Sequence, residues 1–218
     1  NLDHQIELIN KFELSQKQNS FMTCPYLIKI LQERYNSNEK FRFLDIGGAN
    51  IDFFLDLKKN FINSDYYFFN LKSVNESFEI LKKKYNYQSL FIINNIDEIL
   101  NKNFDFVNFG SSIQYLDNYE NILEKITNNN KLIMFSGQTL YNSKKEKFKK
   151  HLVAKQVKAI KHPNYCYFFN KEFFFDFFLK KKFNLVFQKK NLTDEINYKN
   201  FRNIVNDIEF TDFLFSKD

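Results

Sequence analysis

The chain has 218 residues, among them 29 phenylalanines and 12 tyrosines but only four glycines and two prolines. Average usage would give about 15 glycines and about 11 prolines, so collagen-like, Gly-rich linker and repeat-turn designs are excluded. The formal charge of +6 invites a nucleic-acid reading. The lysines are dispersed, however, and arginine, the preferred residue for bidentate phosphate and guanine contacts, occurs only at Arg34, Arg42 and Arg202. With abundant Asn, Phe and Ile, that is the bias of an A+T-rich coding sequence rather than of a dedicated nucleic-acid face.

The length fits one globular domain, and a hydrophobic content of 44% supplies a full core. No apolar run approaches the roughly 18 residues of a transmembrane helix, and no basic-then-apolar leader is visible. The chain opens on Asn1 rather than Met, which points to a trimmed start. Cys24 and Cys166 form neither a zinc pair nor a disulfide framework, so a reducing cytoplasm is the expected location. His4, His151 and His162 are too dispersed to suggest a metal, and none is expected.

Leu2, Ile6, Ile9 and Phe12 recur at near-helical spacing, and Tyr26–Tyr35 does so after Pro25, which suits a first helical turn. Residues 1–38 therefore read as an N-terminal helical cap. Beyond it, 39–218 reads as a single α/β domain. Phe41–Ile46 is a first strand ended by Gly47-Gly48, with a helix over Asp52–Ile62. Tyr66–Leu71 is a second strand, followed by a lysine-rich helix at Asn75–Tyr85. Leu90–Ile93 is a third, and Phe104–Phe109 a fourth, ending at Gly110 with a helix at Tyr119–Thr127 behind it. Leu132–Phe135 is a fifth, ended by Ser136-Gly137. The pattern lapses over Gln138–Asn164, which is read as an insertion at 138–165. It resumes with a Phe-rich helix at Lys171–Lys181, a strand at Phe183–Gln188 and a terminal strand at Phe210–Phe215. Strand-helix alternation with near-continuous apolar strands predicts a doubly wound, mostly parallel, seven-stranded sheet.

All four glycines follow predicted strands, where open α/β sheets bind ligands and where backbone must approach a ligand or take positive φ. The first segment, Leu44-Asp45-Ile46-Gly47-Gly48-Ala49-Asn50, lacks both G-x-G-x-x-G and the P-loop spacing. It instead carries an acid inside the strand, two residues before the first glycine. A carboxylate there repels a pyrophosphate but supports loop amides and a cationic ligand.

LDIGGAN at 44–50 resembles the first motif of class I S-adenosylmethionine-dependent methyltransferases. With FDFVNFGSSIQYLDN at 104–118, LIMFSG at 132–137 and YCYFFNKEFFFDFFLKKKFNLVF at 165–187, the set resembles a methyltransferase family of bacterial capsule and O-antigen gene clusters. The resemblance spans about residues 40–215 and implies a Rossmann-like methyltransferase sheet. It also implies S-adenosylmethionine as cofactor, with S-adenosylhomocysteine as product.

Carried over by position, Asp45 holds the glycine loop and orients the cofactor's ammonium group, while Gly47 and Gly48 pass under its methionine portion. Ala49 replaces the family's third glycine, and Asn50 tolerates the left-handed turn. Asn70 stands where these enzymes usually carry an acid gripping both ribose hydroxyls; an amide forfeits a charge-assisted pair. Asn95, Ile96 and Asp97, after the third strand, loosely match the adenine-contacting region. Gly110, Ser111 and Ser112 line the cofactor near the reacting methyl, and Gln114, Tyr115, Gln138 and Tyr165 face the acceptor.

Methyl transfer from a sulfonium needs alignment in a water-poor site and, for a sugar hydroxyl, a general base. His162 and His151 are the leading candidates, with Asp117 behind them; a loop histidine beside lysines is more often simply a solvated one. Tyr165 and Tyr167 are either acceptor-pocket or core aromatics. The Phe-rich helix is expected to pack on the sheet, any excess forming a dimer contact or membrane-adjacent patch.

Amino-methylating DNA enzymes need a Pro-Pro-Tyr-type segment after the fourth strand, and C5-cytosine enzymes a Pro-Cys nucleophile; both are absent. The expectation is an O-methyltransferase acting on a small-molecule glycan precursor, with no DNA partner and a homodimer left open. A non-catalytic cofactor-binding subunit and a ribose-methylating RNA enzyme remain alternatives. A nicotinamide-dependent reductase is more remote.

Overall fold

A computed structural model describes residues 6, 7, 9, 10, 25–48, 52–143, 149–156, 164–191 and 206–217. The chain is α/β, with the mostly parallel sheet and alternating helices of a Rossmann-like fold. It divides into two compact units, Asn1–Val107 and Asn108–Asp218.

The first unit carries helix α1 (Pro25–Arg34), strand β1 (Arg42–Ile46), α2 (Asp52–Asn60), β2 (Asp65–Phe69), α3 (Lys72–Tyr85), β3 (Leu90–Ile93), α4 (Asp97–Leu100) and the start of β4 (Phe106–Gly110). After exposed Arg42, β1 is buried at four consecutive positions, the pattern of a parallel strand covered on both faces. It pairs in parallel with β2, setting Asp45 opposite Phe68 and Ile46 opposite Phe69. In turn β2 pairs in parallel with β3, Phe69 opposite Ile93. The phenylalanine-rich composition is spent on ring layers: Phe43 stacks on Tyr66 at 4.9 Å and on Phe106 at 5.0 Å. The rest of the expected cap, apart from 6, 7, 9 and 10, which are helical, and α1 onward, lies outside the described residues. α3 ends at Asn86 in the left-handed conformation, its N–H bonded to the Lys82 and Lys83 carbonyls.

The second unit continues from β4 through a 3₁₀ turn (Ile113–Tyr115), α5 (Tyr119–Asn129), β5 (Leu132–Asn142), β6 (His151–Gln156), β7 (Asn164–Asn170), α6 (Lys171–Lys180), β8 (Asn184–Asn191) and β9 (Asn206–Ser216). Its strands mix directions: β5–β7 is parallel, while β5–β9, β6–β7 and β8–β9 are antiparallel. Phe135 centres the core, with the rings of Phe109, Phe174 and Phe213 at 4.9, 5.2 and 5.0 Å. Phe174 and Phe178 of the Phe-rich helix are buried, as core packing requires. Asn170 caps that helix, its Oδ1 accepting from the N–H of Glu172 at 3.1 Å.

The described residues hold nine strands where seven were expected. The additional pair is the β6–β7 hairpin, of which β6 lies inside the stretch read as an insertion at 138–165 and β7 starts at its end and runs on to Asn170. In β6 Leu152 and Ala154 alternate with exposed Val153 and Lys155, a signal too short and too lysine-diluted to register as a strand. Nor does Gly137 end the fifth strand. β5 runs on to Asn142, with an irregular register against β9 between Phe135 and Gln138. Gly137, at φ +65°, supplies the left-handed residue of that bulge.

Candidate functional site

In the first unit the carboxyl ends of β1 and β2 form one connected polar cluster. Asp45 is 1% exposed, and the hydroxyl of Tyr66 donates to its Oδ2 at 2.6 Å. Burial, and then the Asp45 charge, push the Tyr66 hydroxyl well above its ordinary pKa, so it remains a donor. The carboxylate lies against the glycine loop: a Cβ on Gly48 would come within 2.1 Å of Asp45 Oδ2. Glycine is therefore required at 48 by space. At Gly47 it is favoured by a φ of +77°.

The second strand also ties down this loop. Gly47 N–H donates to the Phe69 carbonyl at 2.8 Å. Asn70 Nδ2 donates to the Gly48 carbonyl at 2.7 Å, while Asn70 Oδ1 accepts from Leu71 N–H at 2.7 Å. Beside Asn70 opens a cleft of about 630 Å³, lined by Lys72, Asn75, Glu79 and Asn94 among others. Asn75, 2% exposed, donates to the Ile93 carbonyl at 2.7 Å and to Asn94 Oδ1 at 3.1 Å. Asn95, expected near adenine, is exposed just before α4, its Oδ1 accepting from Asp97 N–H at 3.0 Å; Ile96 is half-buried. Asn50 lies outside the described residues.

The second unit holds its own polar cluster. Gly110 is the last residue of β4. Ser111 follows at φ +53°, its Oγ donating to the carbonyls of Ser136 at 2.8 Å and Gly137 at 3.1 Å. Ser112 precedes the 3₁₀ turn. Gln114 and Gln138 are both buried, and Gln138 Nε2 donates to Gln114 Oε1 at 3.0 Å. Tyr115 is exposed, its hydroxyl donating to Gln156 Oε1 at 3.0 Å. The geometry thus joins Gln114 to Gln138 and Ser111 to the Gly137 bulge. It sets Tyr165, 62% exposed, apart from them against Lys155.

His151 begins β6, and its Nδ1 lies 2.8 Å from the Tyr119 hydroxyl. Burial and then Lys150 lower its pKa, against Glu120, which raises it. Five residues farther along the same strand, about 16 Å at the usual rise, stands Gln156, the partner of Tyr115. His162 lies outside the described residues. Among the described residues no group of three or more His, Cys, Asp or Glu is placed to hold a metal. No helix among them is long and apolar enough to cross a membrane.

Among the residues of these clusters that sequence reasoning did not single out are Tyr66 and Asp212. The Asp212 carboxylate accepts from Gly137 N–H at 2.6 Å. The signal for it existed, since Asp212 is an acid inside an apolar strand, as Asp45 is. Tyr66 gave no such signal, because its role depends on the β1–β2 register.

No known family's sequence model matches the chain, and no curated protein does. Solved structures share its fold. The N-terminal domain of EvdMO1, solved with S-adenosylhomocysteine bound, superposes with a TM-score of 0.59 at 8% identity, covering 89% of this chain and 82% of that one. An S-adenosylmethionine-dependent methyltransferase from Clostridium acetobutylicum gives 0.53 at 12% identity, covering 96% and 98%. Magnesium protoporphyrin IX methyltransferase from Synechocystis, with S-adenosylmethionine bound, gives 0.57 at 8% identity, covering 91% and 79%.

Proposed function

We propose that the chain is an S-adenosylmethionine-dependent methyltransferase that O-methylates a small-molecule precursor of a surface glycan. The observation that carries the cofactor half is the buried Asp45 carboxylate seated against Gly48, where a single Cβ would collide with it. A sulfonium cofactor with an ammonium group suits a loop with an acid beneath it and no side chain above. Solved structures of the same fold with S-adenosylmethionine or S-adenosylhomocysteine bound support the reading. The acceptor half rests on the sequence resemblance at 44–50, 104–118, 132–137 and 165–187.

When bound, the cofactor supplies a methyl group already activated by its positive sulfur. The chain's own residues then bind and orient. Asp45, kept in place by Tyr66, presents negative charge under the loop, where it attracts the ammonium group. Gly47 and Gly48 leave backbone atoms accessible. With the electrophile intrinsic to the cofactor, the remaining requirement is alignment of the acceptor hydroxyl in a site that excludes water.

A second reading, a cofactor-binding subunit without turnover, is favoured by the amide at 70 in place of an acid. Calorimetry with S-adenosylhomocysteine, S-adenosylmethionine and NAD tests the shared premise. Binding of the adenosyl ligands and not NAD is expected, with loss in Asp45→Ala; no binding at millimolar concentration sinks both readings. Transfer of labelled methyl from the donor to a glycan-precursor panel then separates an enzyme from a silent binder.

A further inference from the structure

Asn70 stands at the carboxyl end of β2, beside the Gly47-Gly48 loop. An amide side chain offers two N–H donors on one atom and two acceptor lone pairs on the other. Asn70 Nδ2 donates to the Gly48 carbonyl at 2.7 Å, and Asn70 Oδ1 accepts from Leu71 N–H at 2.7 Å. Both ends of the side chain are thus engaged by backbone, one of them by the loop itself. A ribose diol presents two hydroxyl donors, and gripping it takes two acceptor oxygens side by side. Asn70 has one oxygen, already turned toward Leu71, and its nitrogen is turned toward Gly48. A carboxylate at this position lacks the donor that the Gly48 carbonyl receives.

We infer that Asn70 is a latch on the glycine loop and not the anchor of the ribose diol. The inference rests on the adenosyl-binding reading above and refines it. The residue type at the end of β2 selects between a held loop and a gripped ribose. In this chain two hydrogen bonds from the end of β2 hold the loop, from Gly47 to Phe69 and from Asn70 to Gly48, while Asp45, bonded by Tyr66, is packed beneath Gly48. Affinity for the adenosyl ligand then comes from the pre-set loop and falls little when a ribose hydroxyl is removed.

Two measurements on wild type, Asn70→Ala and Asn70→Asp test this. The first is amide hydrogen exchange at Gly47 and Gly48 without ligand. The latch requires faster exchange in both variants, by about tenfold, as expected for a lost part-buried hydrogen bond; unchanged exchange overturns it. The second is calorimetric affinity for S-adenosylhomocysteine and its 2′-deoxy and 3′-deoxy forms. The expected result is that Asn70→Ala weakens all three alike, leaving the ratio between intact and deoxy ligands within about threefold of wild type. Asn70→Asp, with two acceptor oxygens and a nearly unchanged shape, gains preference for the intact diol. A ratio that falls by more than that in Asn70→Ala shows Asn70 to be the ribose anchor and overturns the proposal. If wild type binds none of the three ligands, the adenosyl reading fails, while the exchange measurement still decides the latch.

Discussion

The Tyr66 hydroxyl donates to Asp45 Oδ2 at 2.6 Å, between side chains that are each 1% exposed. The pair joins adjacent strands, since β1 and β2 are parallel neighbours with Phe43 opposite Tyr66. A buried carboxylate costs several kcal/mol of lost hydration unless donors surround it, so Tyr66 is part of what lets the acid stand there.

Tyr66→Phe removes that donor with little change of shape. Hydrogen bonds to charged groups contribute about 1.5–3 kcal/mol, and chemical denaturation should show a loss in that range. The hydroxyl also fixes behaviour in alkali. Its folded pKa is raised above the unfolded value, so its contribution is complete below pH 10 and is lost as pH rises toward the folded value. Tyr141, raised by burial to about 12, acts in the same sense. Stability should fall above about pH 10, and the part of the tyrosinate absorbance that disappears in Tyr66→Phe should arise only on unfolding. A wild-type minus Tyr66→Phe difference in tyrosinate absorbance that appears before unfolding would contradict this.

Gly48→Ala places a methyl group 2.1 Å from Asp45 Oδ2, so the carboxylate must leave its seat. Overpacking of this kind costs about 1–3 kcal/mol. Under the proposed function, affinity for S-adenosylhomocysteine should drop by about tenfold or more, because the displaced carboxylate is the group meant to face the ligand's ammonium. Wild-type affinity in this variant would mean that the loop does not carry the ligand.

Asp45, Gly47 and Gly48 were legible because the motif is contiguous and an acid inside an apolar strand is costly enough to need a reason. The alternation of strands and helices was legible from runs such as FRFLDI and LIMF. Tyr66 was not, since only the strand register brings it to Asp45. Asn70 was legible as a position but not as a partner of Gly48, a contact made across 22 residues of sequence. Gly137 misled, because glycine after an apolar run usually ends a strand. Here β9 pairs along both sides of it, and the strand continues through a bulge.

That bulge makes its own prediction. Gly137 combines φ +65° with a Cβ position 2.4 Å from Ser111 Oγ and 2.6 Å from Phe210 Cζ, so Gly137→Ala is strained in both backbone and packing. The left-handed conformation alone costs a side-chain-bearing residue about 1–2 kcal/mol. Asp212→Ala leaves the buried Gly137 N–H without its acceptor, at about 1–3 kcal/mol. It also strips Asn191 Nδ2 of a partner at 2.8 Å. Both variants act on one bulge, so the double variant should lose less than the sum. Strict additivity in denaturant melts would show the two contacts to be independent.

At the other end of the pH scale, His151 governs. Burial and Lys150 hold its pKa below 6.5, so the folded state favours neutral imidazole while the unfolded chain takes up the proton. The contribution is therefore present above pH 6.5 and lost as pH falls toward the lower folded value. Glu120, whose carboxyl is lowered chiefly by its hydrogen bond to Lys150, adds a further loss only below its ordinary 4.5. Two acid-side steps should appear in unfolding free energy, the upper one from His151 and the lower one from Glu120. His151→Gln should remove the upper step while leaving the lower in place. A wild-type profile flat from pH 7.5 to pH 5, or one unchanged by the substitution, would refute the assignment, because each protonation bound more tightly by the unfolded chain must tilt that curve.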